Sequence, residues 1–162
     1  MIDETIEEAS PAKIEAWARL LRSSATVLEQ VEIKLKAAGF PPLAWYDVLL
    51  ELRRAEGGRL RPVEVEKRTL LAQYNVSRLI DRLASAGFVE KRKSPEDGRG
   101  VVVALTAKGS SLLEDMWPVY KSAIQSEFGC HLSEDEAAEI FRLLGKFLPG
   151  EQAGYRQDIE NK

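Results

Sequence analysis

The sequence has very few of the residues from which most enzyme and metal sites are built. Its 162 residues include one cysteine, Cys130, and one histidine, His131. A single cysteine excludes a disulfide within the chain, and one Cys–His pair cannot complete a zinc site. The sequence also lacks a glycine-rich phosphate loop and a cluster of nucleophile and base. We therefore expect no enzyme activity, no metal and no cofactor.

Membrane and export signals are also missing. No apolar run approaches the ~18 residues that a membrane-spanning helix needs. The first ten residues, MIDETIEEAS, are acidic and lack the basic-then-apolar order of a secretory signal peptide. We expect a soluble, cytoplasmic protein that does not contact a membrane. With 44% hydrophobic residues, the chain can bury a single core.

The net charge of −3 is small, but the charge is unevenly distributed. Residues 51–100 contain 12 lysines and arginines against 8 aspartates and glutamates, a local excess of +4. The rest of the chain holds the remaining 11 basic residues of 23 and 18 acidic residues of 26, a local −7. A segregated basic segment is typical of a protein that binds a polyanion through one surface.

The basic segment contains a predicted helix. Leu79, Ile80 and Leu83 recur at helical spacing, and Gly87 follows where a helix would need a left-handed C-cap. The opposite side of this helix carries polar and basic residues that can read base edges or hold phosphates. These residues are Gln73, Asn75, Ser77, Arg78 and Arg82. Tyr74 could contact phosphate or shield the turn.

A two-stranded hairpin is predicted directly after this helix. Residues 88–93 and 101–105 are β-prone, and Asp97-Gly98 between them is a strong hairpin signal. Arg99 lies at the tip of the hairpin. A helix followed by a charged hairpin is typical of a winged helix-turn-helix, in which the helix lies in the major groove of DNA.

The order of these motifs resembles the MarR family of transcriptional regulators. The family pattern S/T-R-L-x-x-R-L, G-hydrophobic-V, D-x-R and L-T-x-x-G has a match at each step. The matching residues are Ser77-Arg78-Leu79, Arg82-Leu83, Gly87-Phe88-Val89, Asp97-Gly98-Arg99, Leu105-Thr106 and Gly109. The resemblance covers roughly residues 41–148.

The resemblance implies a mainly α fold with a small β-wing. We expect a dimerisation helix in residues 1–40, a winged helix-turn-helix lobe in residues 41–105, and dimerisation helices with a tail in residues 106–162, all in one compact chain. The implied function is sequence-specific, ligand-responsive repression by a homodimer on a pseudo-palindromic operator in double-stranded DNA.

The resemblance also implies roles in the wing and in a ligand site. Arg99 would enter the minor groove while Asp97 braces it, and Arg92 would lie along the backbone with its lysine neighbours. A small aromatic effector would bind between the dimer helices and the DNA-binding lobe. The candidates for that pocket are the aromatic residues Trp17, Trp45, Tyr46, Trp117 and Tyr120.

The remaining elements follow from caps and periodicity. We predict helices over 11–38, 43–55, 62–68 and from Thr106 to about Phe128, with a kink at Pro118, and a short strand over 59–61. A last helix starts at a capping box, Ser133 to Glu136. The first helix carries an apolar stripe at alternating steps of three and four residues. That stripe would pack either on the chain's own core or on a second subunit.

Other interpretations stay open from the residues alone. The polar helix face and the charged hairpin could be ordinary solvated surfaces, and the aromatic residues could be plain core. A winged helix can also serve as a protein-interaction module without specific DNA binding. The binding face of such a module would be more apolar or acidic than the polar helix face of this chain. Binding to duplex DNA that weakens steeply with salt would distinguish a DNA-binding protein from such a module.

Overall fold

The computed structural model describes residues 8–69, 75–96 and 98–148. Within these ranges the chain forms six α-helices and three short strands. The helices are α1 (Pro11–Ala37), α2 (Leu43–Arg54), α3 (Pro62–Arg68), α4 (Val76–Ser85), α5 (Ala107–Glu127) and α6 (Glu134–Leu144). The strands are β1 (Arg59–Leu60), β2 (Val89–Lys93) and β3 (Val101–Leu105). The predicted fold class is confirmed.

Helix α2 lies at the centre of the core. Tyr46, Leu49 and Leu52 are fully buried, since α2 contacts α5, α3 and β3. Helix α1 packs along α5, but only Val31 and Leu35 near its C-terminus are buried. The core therefore fills the lobe formed by α2, α3, α4 and the sheet, and it thins out toward the start of α1 and toward α6.

The three strands form an antiparallel sheet in the order β1-β3-β2. Strands β2 and β3 form the predicted wing, with Val89 opposite Leu105 at its base and Lys93 opposite Val101 at its tip. Leu60 of β1 pairs with Val103 on the other edge of β3. The sheet thus attaches the wing to the segment that precedes α3.

Several predicted helix ends are present. The Ser10 hydroxyl accepts a 3.4 Å bond from the Lys13 amide at the start of α1. Gly87 has φ 81° just after α4, so this position favours glycine. In the predicted capping box, the Ser133 amide donates to Glu136 over 2.8 Å and the Glu136 amide donates to the Ser133 hydroxyl over 3.2 Å.

Some predicted boundaries shift by a residue. Helix α1 ends at Ala37 and α2 at Arg54, each one residue early, and α5 ends at Glu127. The predicted strand over 59–61 loses Arg61, because that residue caps α3 and its amide donates to Glu64 over 2.8 Å. Helix α5 runs unbroken through Pro118.

Candidate nucleic-acid interface

Helix α4 has one buried and one exposed side. Its apolar residues pack into the lobe, with Leu83 fully buried and Leu79 and Ile80 no more than 4% exposed. Ser77 and Arg78 lie on the exposed side in the first turn, and Arg82 lies there one turn further on. Ser77, Arg78 and Arg82, which are predicted to contact DNA, are therefore accessible to a ligand. The packing of the apolar side fixes the helix on the lobe. Gln73 and Tyr74 lie outside the described residues.

Asn75 caps α4 instead of lying within it. Its backbone is extended, and its side-chain oxygen accepts a 3.1 Å bond from the Arg78 amide. The cap sets the start of the helix and places Arg78 in its first turn. A bidentate contact from Asn75 to adenine would need the same oxygen, so the cap competes with the base-reading role that the sequence predicts.

The wing tip is closed by backbone hydrogen bonds. The Ser94 amide donates to the Gly100 carbonyl over 2.7 Å, and the Gly98 amide donates to the Ser94 carbonyl over 3.1 Å. Gly98 has φ 64°, which satisfies the turn that the sequence predicts there. Arg99 is exposed on this tip, and Asp97 lies outside the described residues.

Carboxylates that were not predicted from the sequence hold some of the cations of this surface. Asp81 on α4 bonds to the ammonium group of Lys91 on β2. Glu90 accepts two bonds from Arg92, from Nε over 2.9 Å and from Nη2 over 2.6 Å. The Glu90–Arg92 pair was visible in the sequence, because residues two apart in a strand lie on the same face. The pair from Asp81 to Lys91 needs the fold.

The C-terminus of α4 is joined to the start of α5. The Thr106 hydroxyl donates to the Gly87 carbonyl over 2.7 Å and accepts a 3.1 Å bond from the Gly109 amide. Lys108 donates to the Ala86 carbonyl over 2.7 Å. Gly109 is required here, since a Cβ at that position would lie 2.2 Å from the Phe88 carbonyl oxygen. We call this set of contacts the α4–α5 junction.

Three of the five predicted pocket aromatics come together. Tyr46 and Tyr120 stack edge to face with ring centroids 5.3 Å apart, and Trp117 lies 6.0 Å from Tyr120. Trp45 instead packs on Phe88, 5.9 Å away. The fifth, Trp17, is 61% exposed on α1 and forms no aromatic contact with the described residues.

Tyr46 has the most unusual environment of these residues. Its hydroxyl is buried and has no hydrogen-bond partner among the described residues. Burial raises the pKa of Tyr46 to about 12, and burial also raises the pKa of Tyr120. Both hydroxyls therefore stay protonated at neutral pH and can act as donors.

An apolar groove of about 830 Å³ runs between α1, α5 and α6. Tyr120 lines it, together with Leu20, Val27, Ile124 and Leu143. Large apolar side chains also remain exposed on α1, on α6 and on the turn that follows α6. They include Ile14, Leu21, Leu28, Phe141, Leu144, Phe147 and Leu148. The predicted apolar stripes thus exist, and the chain's own core leaves most of them uncovered.

The described residues contain no cluster of three His, Cys, Asp or Glu side chains that could hold a metal ion. The Cys130 thiol is exposed and donates to the Ser126 carbonyl over 3.0 Å. Among the helices in the described ranges, none has the length and apolar character to cross a membrane.

Comparison with known proteins agrees with this architecture. The sequence profile of the MarR family matches residues 38–100. The multiple antibiotic resistance protein MarR of Escherichia coli (strain K12) is 34% identical over 106 residues, which is 65% of this chain and 72% of that protein.

Solved structures match over most of the chain. The crystal structure of a mutant E. coli MarR complexed with operator DNA superposes with a TM-score of 0.71 at 29% identity, covering 88% of this chain and 100% of the other. Bordetella bronchiseptica BpsR, whose DNA binding is described as regulated by 6-hydroxynicotinic acid, superposes with a TM-score of 0.71 at 29% identity. The match covers 82% of this chain and 98% of BpsR.

Proposed function

Since the chain belongs to the MarR family of transcriptional regulators, we propose that it is a ligand-responsive repressor that binds a pseudo-palindromic operator as a homodimer. Family membership already makes it a transcriptional regulator and not an enzyme. The observation that carries the proposal is the exposed polar side of α4 beside the wing, on a helix whose apolar side is buried. The E. coli relative crystallised with operator DNA supports duplex DNA as the ligand.

Helix α4 would read the major groove. Arg78 in its first turn can bond guanine O6 and N7, a contact that contributes ~1–3 kcal/mol of discrimination. Ser77 and Arg82 would hold phosphates and set the register of the helix. Arg99 on the wing would enter the minor groove, where the negative potential is concentrated, and Arg92 would lie along the backbone. Gln73, Tyr74 and Asp97 stay predicted contacts.

The uncovered apolar surface supports a homodimer. Phe141 is 68% and Phe147 75% exposed, and large contiguous apolar patches on a protein mark interaction sites. A second copy offers the same surface, so a two-fold interface would cover both. Two DNA-binding lobes related in this way would sit on half-sites about 34–36 Å apart.

An effector site is supported by the groove and its aromatic wall. The open side of this groove belongs to the apolar surface assigned above to the second copy, so the candidate effector site is the groove's wall at Tyr120 and not its full volume. Tyr120 connects this groove to Tyr46, whose buried hydroxyl lacks an acceptor among the described residues. A small aromatic acid in the groove can stack on Tyr120. The α4–α5 junction would then transmit a change at α5 to α4.

Gel-shift titration of an operator selected from genomic fragments tests the DNA-binding part. We expect Arg78→Ala and Arg99→Ala each to weaken operator binding with unchanged thermal unfolding. For Arg78→Ala the loss should be about a hundredfold, because each of the two bound chains loses one contact of ~1–3 kcal/mol. Arg142→Ala, which removes an exposed arginine from α6, is the control. Wild-type affinity in both lobe variants would exclude these assignments.

A screen of aromatic acids tests the effector part. A true effector raises the melting temperature of the free protein, because it binds the folded state, and it releases the operator at the same concentrations. If none of the acids that stabilise the free protein changes operator binding, the effector part of the proposal is refuted and the repressor part remains.

A further inference from the structure

Helix α2, at the centre of the core, begins without a cap from its own residues. Its N-cap residue is Pro42, whose side chain accepts no hydrogen bond, and its first turn contains no acidic residue. The first amides of a helix have no partner within the helix and need an acceptor from elsewhere. The Leu43 amide finds its acceptor on α1, since it donates to Oε1 of Glu32 over 3.0 Å. A carboxylate of one helix thus caps the next helix.

This bond joins two parts of the molecule with different proposed roles. Helix α1 packs along α5 and not along α2, and its exposed apolar side belongs to the surface proposed for the second copy. Helix α2 is the central helix of the DNA-binding lobe. The bond between Glu32 and Leu43 is half-buried, so water competes with it less than with a bond on the open surface.

A bond at this corner restrains the turning of the lobe on the dimerisation helices. In a homodimer each lobe would turn about its own corner, residues 38–42, so the two corners together affect the separation of the two α4 helices. The tolerance for such turning on DNA is small. One inserted base pair moves a half-site by ~3.4 Å along the duplex and by roughly 35° around it.

We propose that Glu32 is a positioning residue, which holds the two DNA-binding lobes at one separation and thereby restricts the dimer to operators of one half-site spacing. This rests on the proposed homodimer on a pseudo-palindromic operator. On a duplex with the wrong spacing the lobes must turn, and the bond between Glu32 and Leu43 must stretch or break. On the correct spacing the bond stays intact. The cost therefore falls on the wrong duplex alone.

Glu32→Ala removes the acceptor and tests the proposal. Fluorescence anisotropy compares the selected operator with a duplex of equal length, in which one base pair is moved from the flank to the centre. The ratio of the two affinities measures the spacing preference, and the altered charge of the variant largely cancels in it. The free energy of one hydrogen bond limits the effect, so we expect the ratio to fall roughly three- to tenfold. Sedimentation should show that the variant remains dimeric.

Two further variants separate the bond from the charge. Glu32→Gln lacks the charge but keeps the length and an oxygen that can accept from the Leu43 amide. Glu32→Asp keeps the charge, but its carboxylate is one methylene shorter in reach. We expect the affinity ratio of Glu32→Gln to stay above that of Glu32→Asp, and the reverse order would refute the role of the bond. This comparison decides the question even if Glu32→Ala does not fold.

The same turn of α1 offers a matched control. Lys34 forms an ion pair of 2.6 Å with Glu127 and donates to the Ser126 hydroxyl over 2.7 Å. These contacts join α1 to the end of α5 and not to α2. Lys34→Ala therefore removes a link between helices without touching the start of α2, and it should leave the affinity ratio unchanged.

The results separate this proposal from the proposed function. A wild-type protein that binds no duplex, or binds it as a monomer, would refute the proposed function. If wild type binds the operator as a dimer, three results would refute only the role of Glu32. These are a wild-type protein without a spacing preference, a folded Glu32→Ala variant with the wild-type ratio, and a Lys34→Ala variant whose ratio falls as far as that of Glu32→Ala.

Discussion

Helices α4 and α6 are nearly equal in length, 10 and 11 residues, and each has one apolar side. Helix α4 buries four of its residues against the lobe and presents its polar side outward. Helix α6 buries none, and Phe141 on its apolar side is 68% exposed. One helix thus presents hydrogen-bonding groups and the other an apolar surface.

The difference indicates two kinds of partner. Exposed arginine, serine and amide groups fit the phosphates and base edges of a duplex. An apolar surface that the chain's own core leaves uncovered fits a second protein surface. The two surfaces lie in different parts of the chain and are connected through α5, whose start contacts the end of α4 at Thr106 and Lys108.

The largest effect should come from placing a charge on the apolar side. We expect Phe141→Asp to make the protein monomeric, because a carboxylate in an apolar interface must be desolvated. Operator affinity should fall about a hundredfold or more, since two linked sites bind far more tightly than one. Sedimentation and anisotropy measure the two effects.

Ser122→Asp, on an exposed polar position of α5, controls for the added charge. It should leave the dimer intact. A Phe141→Asp protein that stays dimeric would show that α6 is not part of the interface.

A second prediction concerns the connection between the two surfaces. Gly109→Ala places a methyl group where the Phe88 carbonyl oxygen would be 2.2 Å away, so the start of α5 must shift. Overpacking of this kind costs about 1–3 kcal/mol. Thermal unfolding should show a corresponding drop in the melting temperature.

Gly145→Ala is the control, because a Cβ there has nothing within 4 Å and the backbone is helical. It should leave the melting temperature unchanged or raise it slightly. Equal destabilisation by both variants would contradict the close approach at the α4–α5 junction.

The smallest effect concerns α6 alone. Ser133→Ala removes a side-chain bond of the capping box, which is worth about 1 kcal/mol. Since α6 has no buried residue within the chain, the loss should appear mainly as weaker dimerisation. A concentration series by sedimentation measures it. If Ser133→Ala leaves the dimer dissociation constant unchanged while Thr106→Ala weakens dimerisation, the cap that matters for the dimer is the one on α5.

Local signals predicted most of the fold. The Ser10 and Ser133 caps and the glycine after α4 each act through neighbouring residues, so the sequence displays them directly. The strand end at Arg61 was predicted one residue too late. The Arg61 amide donates to the Glu64 carboxylate as part of the α3 cap, so Arg61 does not belong to the strand.

The candidate interface was only partly predictable. The period of helix α4 indicated which side is exposed, and the order of motifs indicated the wing. Asn75 stays a predicted DNA contact, but its side-chain oxygen already caps the helix, which spacing alone did not indicate. The contact between Asp81 and Lys91 depends on how β2 crosses α4 and cannot be read from spacing. Trp17 lies apart from the other aromatics on the exposed first half of α1, where the helix is not covered by the chain's own core.

The central claim is that two chains bind one duplex through α4 and the wing. Sedimentation of the protein with a selected operator duplex measures this most directly. We predict that each duplex carries two chains of 18.1 kDa, and that Arg78→Ala leaves most of the duplex unbound at a protein concentration just above the wild-type dissociation constant. A single chain per duplex, or a complex that Arg78→Ala leaves intact, would contradict the account.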